Sequence, residues 1–496
     1  MMINLEFFTK LLSSHITSKI IVALLFLFLF GCGDFLSDDD ASSSSSSSVA
    51  AKIELNVTNI WTLELGTTFQ LEVSFTPSDT QNKELEWSSL NSEIVEVSNT
   101  GLLTAKNIGV TSITVTSKED SPRTDQISIF VKSSAAVAGA MSTCAIDAQN
   151  KSWCWGKGGD GQLGNGALVR KFIPTEVSGG YNFTQITAGE NFTCGLNNAG
   201  LTWCWGSNTN GRQGSNSGQF NNVPTQVSGE HVFHSISSGG GHTCGLKVIG
   251  EVWCWGAGAK GQLGNGDKKD QITPVKVSGE LKISTISAGQ NHTCALDTTD
   301  VAWCWGDNAS KQLGNSDITD ESSIPVKVSG NQLFIFISSG FSHTCGIKVD
   351  FTGWCWGANE SQQLGQDASE TESAPVEVSH DHIYIAISAM NQYSCGLILD
   401  HINEKGVIEN TSIVCWGSGK NGRRGDGTTT TTKAPTRIKT NINSFVGMAD
   451  GASNQHMCGI TSEKAVYCWG VGSEGQIGVA GNLSDKDEPQ DVNTPF

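Results

Sequence analysis

A four-residue pattern, Trp-Cys-Trp-Gly, and a cysteine upstream of it recur through most of this 496-residue chain, and their spacing constrains the fold more than any other feature. The upstream cysteine stands at 144, 194, 244, 294, 345, 395 and 458. The second cysteine follows at 154, 204, 254, 304, 355, 415 and 468, so six pairs are ten apart and the sixth is twenty apart. "WCWG" begins at 153, 203, 253, 303 and 354, with "VCWG" at 414 and "YCWG" at 467. A fixed period of about 50 residues means stacked or ringed units, each too small to bury its own faces.

Two further markers share the period. Pro-x-x-Val, or Ile, occurs at 174–177, 224–227, 274–277, 325–328, 375–378, 435–438 and 489–492. A Gly-Gln-Leu-Gly-like loop follows "WCWG" at 161–164 and 261–264, with variants elsewhere. Each unit thus carries four short apolar runs: one ending in "ISAG", one with "HTCGL", one with "WCWG" and one with "PxxV". Four strands in about 50 residues is the signature of a propeller blade. Glycine is abundant (57 residues), proline is scarce (10), and the short strands favour an all-β chain. The first hairpin has no "PxxV" before it and the last "PxxV" has no hairpin after it. We expect the C-terminal strand to complete the first blade, placing Val492 near Trp155 and shutting a seven-bladed ring.

"ISAGQNHTCALD…AWCWGDNASKQLGN" at 286–315 and its six relatives resemble the regulator of chromosome condensation repeat, which implies a seven-bladed propeller over residues 134–496. A cysteine in both hairpin strands of every repeat is a departure from that family. The net charge of −18 argues against nucleic acid as a partner, since phosphate recognition needs a basic footprint. The same charge argues against carrying over chromatin binding or nucleotide exchange.

Residues 52–133 alternate apolar and polar at 69–75, 93–98, 111–117 and 126–131, as a small antiparallel sandwich requires. This segment resembles the bacterial immunoglobulin-like group 2 domain, through Gly66, Pro77, Trp87, Ser88, Ser89, Asn91, Gly101 and Gly109. The resemblance implies a surface stalk or adhesive module, with Trp87 in its core. Ahead of it, Ile20 to Phe30 is an apolar run too short to span a bilayer, flanked by Lys10 and Lys19. It ends in "LFGC", which resembles the lipobox of bacterial lipoproteins. Residues 1–31 then read as a signal peptide and Cys32 as a lipid-anchored residue. Residues 32–51, with aspartates and seven consecutive serines, read as a flexible tether.

In a hairpin with a central turn, residues ten apart face each other, within disulfide reach. In an exported protein we expect disulfides at Cys144–Cys154, Cys194–Cys204, Cys244–Cys254, Cys294–Cys304, Cys345–Cys355, Cys395–Cys415 and Cys458–Cys468. Buried reduced thiols are the alternative. Structural zinc needs closer ligand spacing, so no metal is expected. Two residues before each first cysteine stand Ser142, Phe192, His242, His292, His343, Tyr393 and His456. A slot shared by phenyl and imidazole rings reads as packing with an occasional hydrogen bond. The paired tryptophans share one strand face and read as packing between blades.

No phosphate loop, nucleophile elbow, zinc-protease motif or calcium loop occurs. We therefore expect a non-enzymatic lipoprotein of the bacterial cell envelope, at the outer membrane or cell surface, with no cofactor and no small-molecule substrate. It would be held to the membrane at Cys32 and bind a protein partner through propeller loops. "DHINEKGVIENT" at 400–411 swells the sixth hairpin, so His401, Asn403, Glu404, Lys405 and Glu409 are the candidate contacts. An inhibitor of an extracytoplasmic enzyme is a second reading and would show exposed aromatic residues clustered on one rim; a bacterial inhibitor of β-lactamase is similar in fold. A glycan-acting enzyme is a third and would need carboxylates converging in the central channel.

Overall fold

The computed structural model describes residues 52–492 apart from 57–59, 79, 81, 119–121, 133–135, 148, 217, 368, 379–381, 403–407, 443, 450 and 452–453. Residues 134–135 and 493–496 of the expected propeller therefore lie outside the described residues, as do 1–51.

Residues 52–132 form a sandwich. One sheet orders Ile60–Glu64, Thr124–Lys132, Gly109–Ser117 and Leu85–Ser89 side by side, and a second orders Thr68–Gln70, Leu102–Ala105 and Val95–Val97. Lys52–Leu55 pairs separately with Val73–Thr76. The purely antiparallel expectation fails at one pair: Ile60–Glu64 runs parallel to Thr124–Lys132. A period of two reports which face is buried but not strand direction. The run at 69–75 is also split between two sheets, breaking at 71–72. Ile113, Val115, Ile127, Ile129 and Leu103 fill the core. Trp87 is half-buried against that core and covers Gly101, where an added Cβ would lie 2.7 Å from the indole.

From Ala136 onward the described residues form seven four-stranded antiparallel sheets, each from one contiguous stretch. The first holds Ala136–Ala138, Ser142–Ile146, Ser152–Gly156 and Lys171–Glu176. The seventh holds Phe445–Met448, His456–Thr461, Val466–Gly470 and Lys486–Asp491. The expectation that the C-terminal strand completes the first sheet is therefore overturned. Lys486–Asp491 pairs with Val466–Gly470 of its own sheet. The reason is local: each "PxxV" strand folds straight back on the "WCWG" strand before it, so Trp153 faces Glu176. The fourth strand of the first sheet is the one containing Pro174, and its innermost strand is Ala136–Ala138, which follows the sandwich directly. Val492 does lie close to Trp155, but across the junction of two sheets: a Cβ on Gly478 would sit 2.8 Å from Trp155 Nε1 and 2.8 Å from Val492 Cγ1.

The innermost strands of neighbouring sheets touch one another, and that of the first touches that of the seventh. The outermost strands carry the seven prolines of "PxxV". Proline has no N–H to offer a further strand, so it blunts an exposed sheet edge.

One contact recurs at every junction between sheets. The second tryptophan of each "WCWG" is fully buried. Its Nε1–H donates to a backbone carbonyl in the loop of the preceding sheet: Trp205 to Gln162, Trp255 to Arg212, Trp305 to Gln262, Trp356 to Gln312, Trp416 to Gln363, Trp469 to Arg423 and Trp155 to Gln476, at 2.8–3.2 Å. This explains the "GQLG" loop. The glutamine side chain accepts an N–H two residues upstream, as Gln262 does from Lys260 at 2.8 Å, and so holds its loop in shape. Its own carbonyl is left for the neighbour. The leucine enters the core, and the last glycine lets the indole approach: at Gly264 φ is +68° and a Cβ would meet Trp305 Nε1 at 2.6 Å.

The slot before the first cysteine is more than packing. His242, His292, His343 and His456 are fully buried, and Nε2 of each meets a hydroxyl of the next sheet: Thr293, Thr344, Ser394 and Thr143, at 2.6–2.9 Å. Each hydroxyl spends its only hydrogen on the loop carbonyl of Gln262, Gln312, Gln363 or Gln476. The histidine must therefore carry its proton on Nε2, and Nδ1 is a bare lone pair without a partner. Where the slot holds Phe192 or Tyr393 instead, the loop residue becomes Arg212 or Arg423, whose guanidinium lies 5.6–5.7 Å from the ring centre.

Two outcomes follow. Gly264→Ala forces a side chain into the Trp305 contact at positive φ, and should cost about 2–4 kcal/mol in chemical denaturation. Burial pushes the pKa of each of the four histidines down to about 3. In the unfolded chain they take up protons near pH 6.5. Their stabilising contribution is thus complete above pH 6.5 and is lost as the pH falls from there towards 3. The melting temperature should drop between pH 7.5 and 4.5. In chemical denaturation His292→Phe, which borrows the side chain of the Phe192 slot, should lessen the fall of unfolding free energy by about 1.4 kcal/mol per pH unit.

Candidate binding site

The fourteen cysteines of the repeats form seven disulfides, each within one hairpin. In every case the two residues stand directly opposite in register, as Cys294 and Cys304 do. Their Cα atoms lie 4.0–4.1 Å apart, and all fourteen are inaccessible to solvent. These bonds brace the blades and are not placed for chemistry at a surface. Cys32 lies outside the described residues.

The paired tryptophans divide by depth. The second of each pair is the buried junction residue, whereas the first is half-buried at the turn end of the hairpin. Trp153 and Trp303 donate Nε1–H to Asp147 and Asp297, at 2.9 and 2.8 Å. The same aspartates accept backbone N–H groups of the turn, so one carboxylate fixes both turn and indole.

The sixth hairpin departs from this pattern. Its described added residues lengthen both strands, to Tyr393–Ile402 and Ile408–Gly417, with register continuing to Ile402 and Ile408. His401 lies exposed on the first strand and Glu409 lies in the second. Asn403, Glu404 and Lys405 fall outside the described residues. The first tryptophan is replaced by Val414, which faces Arg437 at the end of the outermost strand.

A recess of about 370 Å³ opens beside this hairpin, toward the seventh sheet. Its polar wall is Asp400, Asn410, Ser412, Arg437 and Thr440, and its apolar wall is Ile413, Ile438, Ile442 and Phe445. Arg437 grips Asp400 with both terminal nitrogens, Nη2 to Oδ1 at 2.6 Å and Nη1 to Oδ2 at 3.0 Å. Ser412 donates to the same carboxylate. Burial raises the Asp400 pKa, but the hydrogen bonds from Arg437 and Ser412 outweigh it and hold the group below its ordinary value. The charges cancel, so the recess is polar and close to neutral. Its members were absent from the sequence expectation except for the hairpin itself. The signal in the sequence was the insertion itself, which carries Asp400 and Asn410 of the polar wall.

The central channel offers less. A recess of about 90 Å³ there is lined by Gln185, Thr187, Ser237, Ser238 and Ser339 among apolar residues such as Ile186, Ile236 and Met448, with no carboxylate among the described residues of its lining. Much of this polarity is already used. Thr187, Ser237, Ser287 and Ser338 accept backbone N–H groups of Ser238, Ala288, Ser339 and Ala389 in the next sheet. Among the described residues no three His, Cys, Asp or Glu side chains gather as a metal site would need.

Non-reducing peptide mapping should recover the seven cross-linked pairs. Replacing Cys294 and Cys304 together by alanine should lower stability by about 2–3 kcal/mol, the loop-closure value for a ten-residue loop.

Three comparisons place this geometry. Residues 100–452 match the model of the RCC1-like domain, residues 451–476 match the regulator of chromosome condensation (RCC1) repeat, and residues 52–126 match the bacterial Ig-like domain (group 2). No curated protein matches the chain in sequence. Among solved structures, yeast RCC1 (Prp20) bound to Kap60 superposes with a TM-score of 0.61 at 20% identity, covering 71% of this chain and 85% of that one. Prp20p from Saccharomyces cerevisiae, described with its binding properties to Gsp1p and histones, gives 0.61 at 20% identity over 71% and 87%. Human WBSCR16 gives 0.60 at 18% identity over 70% and 95%. At such identities the likeness is one of fold. The chain belongs to the RCC1-like family, with a bacterial Ig-like group 2 domain joined to the front of its propeller.

Proposed function

We propose that this protein is a non-enzymatic scaffold of the bacterial cell envelope. It is tethered to a membrane by a lipid on Cys32 and binds a protein partner at the sixth blade. The observation that carries the binding assignment is the lengthened hairpin, longer than the other six among the described residues, with the Asp400–Arg437 recess at its base. A paired, preformed set of donors and acceptors above an apolar wall suits a polar peptide segment, which supplies both hydrogen bonds and aliphatic surface. Membership of the RCC1-like family supports a protein-binding role, and yeast RCC1 is itself solved with a bound protein. Localisation rests on the lipobox-like "LFGC" and the serine-rich tether.

The inhibitor reading lacks the rim cluster it requires: among the described residues the exposed aromatics Phe220 and Phe341 sit in the second sheet and at a turn of the fifth. The glycan-enzyme reading would draw on carboxylates converging in the channel; the inner recess is lined on its polar side by Gln185, Thr187, Ser237, Ser238 and Ser339.

The anchor is tested by metabolic labelling with a fatty acid: label should enter the chain and vanish in Cys32→Ser. For binding, residues 52–496 purified from an oxidising compartment serve as bait beside a deletion of 401–410 and Arg437→Ala. The Arg437 pair is part-exposed, so its loss should cost about 1 kcal/mol or less of stability. Captured partner should fall at least tenfold in both variants while their melting temperatures stay near the parent's. Undiminished capture by both would remove the sixth blade as the site.

A further inference from the structure

The junction between the seventh and first sheets joins the two ends of the propeller. No strand crosses it, because every sheet is made from its own stretch of chain. Its outer half has the usual bonds: Trp155 Nε1 to Gln476 O at 2.9 Å, Thr143 Oγ1 to the same carbonyl at 2.8 Å, and His456 Nε2 to Thr143 Oγ1 at 2.6 Å. Its inner half lacks the hydroxyl clasp. The position of Thr187, Ser237, Ser287 and Ser338, opposite the first cysteine in register, is taken in the seventh sheet by Ala449, which has no hydroxyl to accept an N–H of the first sheet. What remains is a cluster of small apolar side chains, Ala136, Ala138, Val446 and Ala449, resting on Trp155.

Into that cluster comes a residue of the other domain. Ile108, on the turn between Leu102–Ala105 and Gly109–Ser117 of the sandwich, is 6% exposed. It belongs to the junction cluster and not to the core of its own domain. Leu65, on the neighbouring turn, packs against both clusters. The two turns are held together by Gly66 N–H to Ala105 O at 2.9 Å and Ala105 N–H to Thr67 O at 3.0 Å. Two further contacts seat the domain. Phe69 stands edge-on to His234 of the third sheet, ring centres 5.8 Å apart, and Ile408 of the sixth hairpin packs against the cluster that holds Ile108.

We propose that the Ig-like domain is the clasp of the propeller. Ile108 and Leu65 form an apolar wedge that closes the inner half of the seam between the last and first sheets, where neither an exchanged strand nor a hydroxyl bridge exists. The domain is then a structural part of the ring rather than a detached stalk.

Hydrogen exchange on the full chain tests this. In Ile108→Asp, peptides covering 136–146 and 445–460 should exchange at least tenfold faster. A reference peptide in the fourth sheet, 283–297, should stay within twofold of the parent. Ile127→Ala, which hollows the sandwich core away from the ring, is the second variant. It should weaken protection at 124–132 and loosen the same seam peptides in step. Seam exchange that stays at the parent rate in Ile108→Asp overturns the proposal, whether or not 124–132 loses protection. So does a rise of equal size in all seven sheets.

Discussion

Each sheet of the propeller holds its neighbour through one indole. The nitrogen of a buried tryptophan reaches a carbonyl in the preceding sheet's loop, and a glycine at the point of contact allows the approach. That donor would otherwise be buried without an acceptor, at a cost of about 1–3 kcal/mol. The contact therefore fixes distance and angle between sheets, not just proximity. It makes "WCWG" and "GQLG" two halves of one device that acts between consecutive repeats. Every other recurrent feature of the ring is arranged around it. The hydroxyl beside the first cysteine shares the carbonyl, the histidine donates to that hydroxyl, and the disulfide lies beneath, locking the hairpin that carries the indole.

The arrangement also explains where substitution is tolerated. The histidine slot accepts phenylalanine or tyrosine when the loop glutamine becomes arginine, because the cation can lie over a ring where a hydrogen bond is absent. At the sixth junction Met457 stands where the others have a hydroxyl, and Tyr393 turns its hydroxyl to the carbonyl of His456 instead. Such exchanges keep the junction filled and its polar atoms mostly satisfied. Departures that do not compensate in this way mark places with another task. The lengthened sixth hairpin borders a recess with Asp400 and Arg437 in its wall, and Ala449 in place of a hydroxyl leaves a seam lined by apolar side chains, Ile108 of the sandwich among them.

Much of this was legible in the chain. The period of 50, the register of cysteines ten apart and the four apolar runs per unit specify repeated four-stranded sheets, since local pairing depends on neighbours in sequence. The phase of the repeat was not legible. "PxxV" stands between two hairpins, and spacing alone does not say which one it joins. Nor was the innermost strand of the first sheet: Ala136–Ala138 is a three-residue run without a turn signal to set it apart from the end of the sandwich. The insertion at 400–411 read as a swollen turn, yet its described residues continue the ladder of the hairpin.

By itself the sequence determined the parts: seven stapled hairpins, proline-blunted edges, a sandwich ahead of them and the family to which the propeller belongs. These follow from short-range pairing and composition, which a linear pattern records directly. The tertiary structure alone decided how the parts meet. It set which carbonyl each indole finds, that the last strand stays in its own sheet, and that Ile108 leaves its own core for a seam more than a hundred residues from part of its lining. Those contacts depend on the curvature summed over seven sheets, a quantity that no single repeat carries.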